Sequence, residues 1–447
     1  MAKIASSTPG ITRRMALQLG LACSIPASTR AQQSPDVLVL GAGIAGLSAA
    51  RTLTDAGARV IVLEASQRIG GRIFTDRSLG LPVEVGAGWI HGPLGNPITR
   101  LAQEAGLETF VTDDDNFQLY RSNGTPVLDA QLGEGINRLE SIQLQIDERL
   151  GNDMPMAEAV HRFDGNALDD PILSWMLSTY TEFSTGGPLD TLSALYWDED
   201  EAFPGADVIL PNGYDRVIAH LAEGLDIRFE HTVEQIVQSG TGVEVVTNKG
   251  RFVATNVVCT LPLGVLQAGN VAFDPPLPQS LQRSINSIGM GNVTKMALLF
   301  EQPFWPTDIQ YIGITSASPG RWNYMMNTLT HSDVPMLLGV SLGAYAPLAD
   351  AMSTAEASAD MMDVLRGVFG SDIPNPVGSL KSAWSAEQLS MGAYSFSNVG
   401  TTPEDFDRFA VPVGALHFAG EHTDFAYHGT VHGAHLSGIR AATTILD

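Results

Sequence analysis

The sequence predicts an α/β fold (α+β overall): a parallel-sheet unit of Rossmann-like pattern joined to a second unit of mixed sheet and helices. Three observations carry this. Two short apolar runs, Val37–Leu40 and Val60–Leu63, flank an Ala-rich helical stretch that ends near Asp55. Directly after the first run stand Gly41, Gly43 and Gly46, spaced G-x-G-x-x-G. Far downstream, Leu225–Thr260 is rich in strand patterns, and a last strand and helix follow Leu416, so the sheet can be completed only by distant segments.

Four-residue apolar runs bounded by turn residues suit strands buried on both faces of a parallel sheet. Gly41 permits the tight turn out of the first strand, Gly43 lets backbone approach a pyrophosphate, and Gly46 allows close helix–strand packing. Ala45 belongs to the same turn, at a helix N-terminus that favours phosphate. Gly57 ends the helix, and Glu64 closes the second strand, where its carboxylate can hold ribose hydroxyls. The unit reads as a dinucleotide site, and by itself it leaves open which dinucleotide.

At 447 residues, 44% hydrophobic and 17% charged, the chain is globular and long enough for two or three domains. Its net charge of −24 disfavours nucleic acid and attracts cationic ligands, although solubility alone explains most of it. Cys23 and Cys259 are the only cysteines, with no metal-ligand or C-x-x-C spacing, so neither disulfides nor a metal site is expected. Thr12-Arg13-Arg14-Met15-Ala16-Leu17 resembles a twin-arginine export signal, followed by a modest apolar run and a small-residue cleavage site near Ala31. This predicts a signal peptide over residues 1–31 and a periplasmic or secreted protein, exported folded, with no stable membrane anchor; the alternative is a cytoplasmic extension. Removing the signal deletes four cations and no acid, taking the charge from −24 to −28.

Along the chain, Arg68-Ile69-Gly70-Gly71-Arg72 places a guanidinium just past the ribose-binding acid. The glycines of Gly86-Ala87-Gly88-Trp89-Ile90-His91-Gly92 suggest backbone passing close to something flat and rigid. A helix is expected near Asn96–Gly106, and Ile136, Leu139, Ile142, Ile146 and Leu150 form another helical stripe. Asp113–Asp115 reads as a solvated loop, and the acids of Trp197-Asp198-Glu199-Asp200-Glu201 read as a solvated face in preference to a cation-attracting rim. Strands are expected at Ile227–Phe229, Val233–Val237, Val243–Thr247, Phe252–Thr260, Lys295–Phe300 and Met336–Leu342, and a helix at Ala355–Phe369. The nucleotide domain then comprises 34–100, 225–275 and 405–447, and the substrate domain 101–224 and 276–404.

Five stretches in order, GAGIAGLSAA with Glu64, RIGGR, GAGWIHG, NVTKMALLFEQPFW and FAGEHTDFAYHGTVHGAHLSG, give the chain a resemblance to the flavin-containing amine oxidases. It is similar above all to the polyamine oxidases, with the histone-lysine demethylases as relatives. The resemblance spans Pro35–Leu446. It implies noncovalent FAD held in extended form, with the flavin between two domains. Gly41, Gly43 and Gly46 would cradle the pyrophosphate, Glu64 the adenosine ribose, and Arg72 would lie beside phosphates and flavin. Gly88 and Trp89 belong to the cofactor-proximal glycine stretch. Val233 matches a backbone contact to adenine and Glu421 an acid near the ribityl chain. Thr430 and Val431 start the helix that faces the flavin, and a helix N-terminus there would stabilise negative charge.

Lys295 matches the lysine that holds a water beside flavin N5; the alternative is a surface lysine on an edge strand. Trp384 and Tyr394 match aromatic positions near the flavin. Thr430 stands where many relatives have a second aromatic, so this motif supplies at most half of a paired aromatic cage around the amine. His91 matches a histidine that can position a cationic chain, or is a structural histidine bonded to backbone. His428, His432 and His435 have helical spacing, but no carboxylate completes a metal site.

The reaction the resemblance implies is oxidation of an amine C–N bond by hydride transfer to the flavin. Water then splits the imine to an aldehyde and a shorter amine, and oxygen is reduced to hydrogen peroxide. A polyamine of spermine or spermidine type is the expected substrate. Aromatic or aliphatic monoamines, a flavin-dependent desaturase, and an exported binding protein for cations are the alternatives.

Overall fold

The computed structural model describes residues 35–447 apart from Thr241. The signal read at 1–31 lies outside the described residues. The opening unit forms as its pattern predicts: strand Val37–Leu40, helix Ile44–Asp55, strand Val60–Leu63. Val37–Leu40 is fully buried at the centre of a five-stranded parallel sheet. Asn256–Cys259 and then Leu416–Phe418 lie on one side of it; Val60–Leu63 and then Ile227–Arg228 lie on the other. Four chain segments separated by long insertions therefore make one sheet.

The closing helix, Val431–Leu446, packs on the opening helix. Contact is close because Gly438 faces Ala45, where a Cβ would stand 2.1 Å from the Ala45 carbonyl oxygen. Helix Asp215–Ala222 also joins this core through Val217, Ile218 and Leu221, although its sequence lies in the stretch read as substrate domain. On the other face, Phe406, Phe409 and helix Gln279–Ser287 cover Leu38, Leu40 and Val257.

The second large sheet has six strands, in the order Gly378–Lys381, Thr294–Leu299, Met336–Ser341, Tyr324–Asn327, Tyr311–Ile314 and Phe117–Tyr120. Neighbours are antiparallel except the last pair, which is parallel. The mixed sheet is thus as expected. Lys295 falls on an interior strand, not an edge. A helix cluster, Asp129–Arg149, Met156–Phe163 and Pro171–Met176, packs beside it, with Phe117 stacked on Trp175 at 5.8 Å.

Two sequence expectations fail in detail. The run Phe252–Thr260 is two strands in two sheets: Gly250–Ala254 ends a four-stranded sheet, and Asn256–Cys259 enters the parallel one. Between them the N–H groups of Thr255 and Asn256 both donate to the Asp36 carbonyl, which redirects the chain. The helical stripe begins at Asp129 rather than Ile136, and Ile136 is itself exposed, because Gly135 takes the buried position against Met176 and Ile172. Asp113–Asp115 and Asp198–Glu201 are exposed, as read. No helix among the described residues is long and apolar enough to cross a membrane.

Candidate active site

The site is built from three clusters. The first is the glycine turn. Gly41 has φ +105°, and a Cβ there would lie 2.6 Å from Thr260 Oγ1. A Cβ on Gly46 would lie 2.1 Å from the Gly41 carbonyl oxygen, so helix and turn are in direct backbone contact. Gly43 is the N-cap of the opening helix, no side chain caps that helix, and a Cβ on Gly43 would meet no atom within 4 Å. A helix N-terminus without a side-chain cap, beside approachable backbone, is what a phosphate needs. Glu64 is buried; its carboxylate accepts from the N–H groups of Ala42 at 2.7 Å and Ser66 at 2.8 Å, which locks it beside the turn. The His231 N–H donates to the Glu64 carbonyl, bringing the chain leading to Val233 alongside. Val233 itself is buried. These residues fit a dinucleotide.

The second cluster centres on Glu421, at the end of the last parallel strand. Arg72 Nη1 donates to its carboxylate at 2.7 Å and to the Ala393 carbonyl at 2.9 Å. The Ser395 hydroxyl and N–H and the Gly429 N–H bind the other carboxylate oxygen, at 2.5, 3.2 and 3.1 Å. Burial works against the charge, but the Arg72 guanidinium and these donors hold the carboxyl at about 2. Next to Gly429, Thr430 caps the closing helix: its hydroxyl accepts from the Gly433 N–H at 2.9 Å and donates to the Tyr427 carbonyl at 2.7 Å. Val431 opens the helix.

The third cluster surrounds Lys295. This side chain is 7% exposed, and its amine donates to the carbonyls of Gly86 at 2.6 Å and Glu84 at 3.2 Å. It lies over the Trp89 ring, 4.9 Å from the centroid. Burial depresses the amine to about 8, against the opposing pull of Glu84. Trp384 Nε1 donates to the Val85 carbonyl at 3.0 Å, and its ring lies against Gly86. Gly86 admits no side chain, since a Cβ would stand 1.8 Å from the Arg72 carbonyl oxygen. That carbonyl accepts the Ala87 N–H, so the Arg72 and Lys295 clusters share one backbone seam.

Aromatic rings continue from this seam. Trp89 meets Phe183 edge-on at 6.0 Å, Phe183 meets Tyr324 at 6.0 Å, and Tyr324 stacks on Tyr311 at 5.0 Å. The Tyr394 hydroxyl donates to the Phe183 carbonyl, and the Tyr394 ring lies against Gly186 and Gly429. Burial raises the Tyr394 phenol, so it stays protonated. Thr430 contributes a cap, not a second ring.

The structure thus gathers Arg72, Gly88, Trp89, Lys295, Trp384, Tyr394, Glu421 and Thr430. His91 faces solvent: its side chain is 62% exposed, and Nδ1 lies 2.5 Å from an Asp207 carboxylate oxygen, so the ring pairs with an acid and not with backbone. His432 and His435 are held by Asn96 and Ser48, and burial depresses each to about 4. His428 bonds the Phe425 carbonyl. Among the described residues no group of three or more His, Cys, Asp or Glu could hold a metal ion. Sequence reasoning missed Phe183, Tyr324, Ser395 and the Glu84 side chain. Only Glu84 carried a signal, as an acid inside an otherwise apolar and glycine run.

A family profile described as "Flavin containing amine oxidoreductase" matches residues 44–446. "Polyamine oxidase 2" of Arabidopsis thaliana is 36% identical over 435 residues, covering 92% of this chain and 88% of that protein. "Lysine-specific histone demethylase 1 homolog 3" of Oryza sativa subsp. indica is 34% identical over 436 residues, covering 92% of this chain and 54% of that protein. Among solved structures, a putrescine oxidase bound to putrescine superposes with TM-score 0.74 at 23% identity, covering 92% of this chain and 99% of the other, a likeness of fold.

Proposed function

The chain belongs to the flavin containing amine oxidoreductase family and is an FAD-dependent amine oxidase, and we propose that it oxidises polyamines of the spermine or spermidine type. Bound FAD supplies the two-electron oxidation of the substrate's C–N bond. The glycine turn and Glu64 would hold the adenine-nucleotide end, Arg72 and Glu421 the middle, and the Thr430–Val431 helix start the flavin end. Lys295 presents a buried amine to the reacting region, fixed by two carbonyls. Trp89, Phe183, Tyr324 and Tyr394 exclude water and offer ring faces to an amine chain.

One observation supports the substrate class: the far end of the aromatic wall lies in an acidic field. Asp114 acts electrostatically on Tyr180, Tyr311 and Tyr324, and Asp207 on Tyr311. An extended polycation is attracted by such charge while its inner amine is desolvated among the rings. A peroxide-coupled screen of spermine, spermidine, acetylated polyamines, tyramine and amino acids tests this. Turnover of polyamines is expected; turnover of monoamines alone would overturn the proposed substrate.

Export by the twin-arginine route, with the mature enzyme periplasmic or secreted, is the reading we carry forward for residues 1–31. Its support is Thr12-Arg13-Arg14 and the small residues near Ala31. Replacing Arg13-Arg14 by Lys-Lys should retain the protein in the cytoplasm, and unaltered export would reject the assignment.

A further inference from the structure

Glu84 ends the short strand Val83–Glu84, and its side chain has no role in the function proposed above. Its backbone carbonyl is one of the two acceptors that hold Lys295. Its side chain leaves the backbone beside the amine: a Cβ built on Gly88 would lie 3.2 Å from Glu84 Cβ and 3.4 Å from Lys295 Nζ. The carboxyl group is buried and tethered. Thr75 Oγ1 donates to it at 2.9 Å and the Tyr214 N–H at 2.9 Å. Thr75 Oγ1 in turn accepts from the Asp215 N–H at 3.1 Å, and Asp215 pairs with Arg77 at the surface.

We propose that Glu84 is a positioning residue for Lys295, whose carbonyl fixes the amine in place and whose buried carboxyl sets the charge the amine carries toward the reacting region. Two carbonyl acceptors occupy two N–H bonds of Lys295 Nζ. The third position is an N–H if the amine is charged and a lone pair if it is neutral. The charged form donates there and is attracted to the Trp89 ring face; the neutral form accepts a proton and loses that attraction. Which form exists is a contest between burial, which disfavours the ammonium, and the nearby carboxylate, which favours it. Burial raises Glu84 to about 7 while Tyr214, Thr75 and Lys295 oppose it, so the two groups change charge in adjacent ranges and each biases the other. The other charged or titratable groups acting on Glu84 are Asp215 and Arg77; Tyr214 is fully buried and stays protonated. Glutamine at 84 would keep the tethers and remove the charge.

The inference takes its functional meaning from the amine oxidase reading, but its deciding measurement, a lysine titration, needs no substrate, so the two can fail separately. The sequence contains four lysines: Lys3, Lys249, Lys295 and Lys381. The FAD-loaded enzyme labelled with 13Cε-lysine therefore gives at most four signals, and the one absent in Lys295→Met identifies Lys295. Its titration midpoint should lie near 8 in the parent protein. In Glu84→Gln it should fall by about one pH unit, and Glu84→Asp should restore part of the shift. An unmoved midpoint in Glu84→Gln overturns the proposal. Should Glu84→Gln not fold, Thr75→Val removes one donor to the carboxylate and should also lower the Lys295 midpoint; no change there is equally fatal. The pH profile of flavin reduction should move in the same direction as the midpoint.

Discussion

Replacing Glu421 by Gln removes one charge from a buried pair and turns one of its two accepting oxygens into an N–H donor facing a donor, a cost that does not vary with pH. The carboxylate is 5% exposed, bonded to Arg72 at 2.7 Å, and receives three further N–H or O–H donors. Its folded value of about 2 lies well below the ordinary 4.5. That difference corresponds to roughly 3 kcal/mol of stability at neutral pH. The sign follows from the depressed value: the contribution is complete above 4.5 and is lost as pH falls from 4.5 through 2. Glutamine keeps the shape but leaves the Arg72 guanidinium without its counter-charge. For a fold of this size, about 3 kcal/mol lowers the thermal midpoint by only about 3 °C. The assay is paired thermal and urea unfolding of the FAD-loaded parent and variant from pH 7 down to pH 3. The variant should be less stable at pH 7, and the gap should narrow steadily below pH 4.5. A gap that is constant with pH, or absent at pH 7, would refute the assignment of this stabilisation to the Glu421 charge.

Other substitutions probe the remaining clusters. Gly46→Ala places a Cβ 2.1 Å from the Gly41 carbonyl oxygen, so the flavin-to-protein absorbance ratio of the purified protein should drop sharply; full flavin content would mean the turn can open at little cost. Lys295→Met should retain FAD while flavin reduction or reoxidation slows by about tenfold or more, measured by stopped flow. Tyr394→Phe strips the Phe183 carbonyl of its donor, at a cost of about 1–3 kcal/mol. It should reduce kcat/KM without loss of FAD, and unchanged kinetics would remove Tyr394 from the substrate wall.

The parts legible in the sequence are those whose signal is local. Val37–Leu40, the glycine turn and Val60–Glu64 carry their geometry within thirty residues, because turn, helix cap and strand end are set by neighbours. Lys295 was visible as a cation in an apolar run, but its interior strand position depends on pairing with Gly378–Lys381 and Met336–Ser341. Phe183 and Tyr324 were invisible for a similar reason. An aromatic in a helix or strand pattern reads as core, and only the fold sets these rings against Trp89. The break at Thr255 was hidden because two consecutive strands of similar composition look like one. Glu84 shows in the sequence as an acid in an apolar run, but its burial is hidden there because its partners, Thr75 and Tyr214, come from two other segments.

Whether this fold holds FAD where a polyamine can reduce it is read most directly from the flavin itself. The direct measurement is anaerobic addition of spermine or spermidine to the purified protein while its visible spectrum is recorded. Oxidised-flavin absorbance should bleach with the polyamine and return on admitting air, with release of peroxide. A colourless protein would contradict the cofactor assignment. A flavin spectrum that no polyamine bleaches would contradict the substrate proposal.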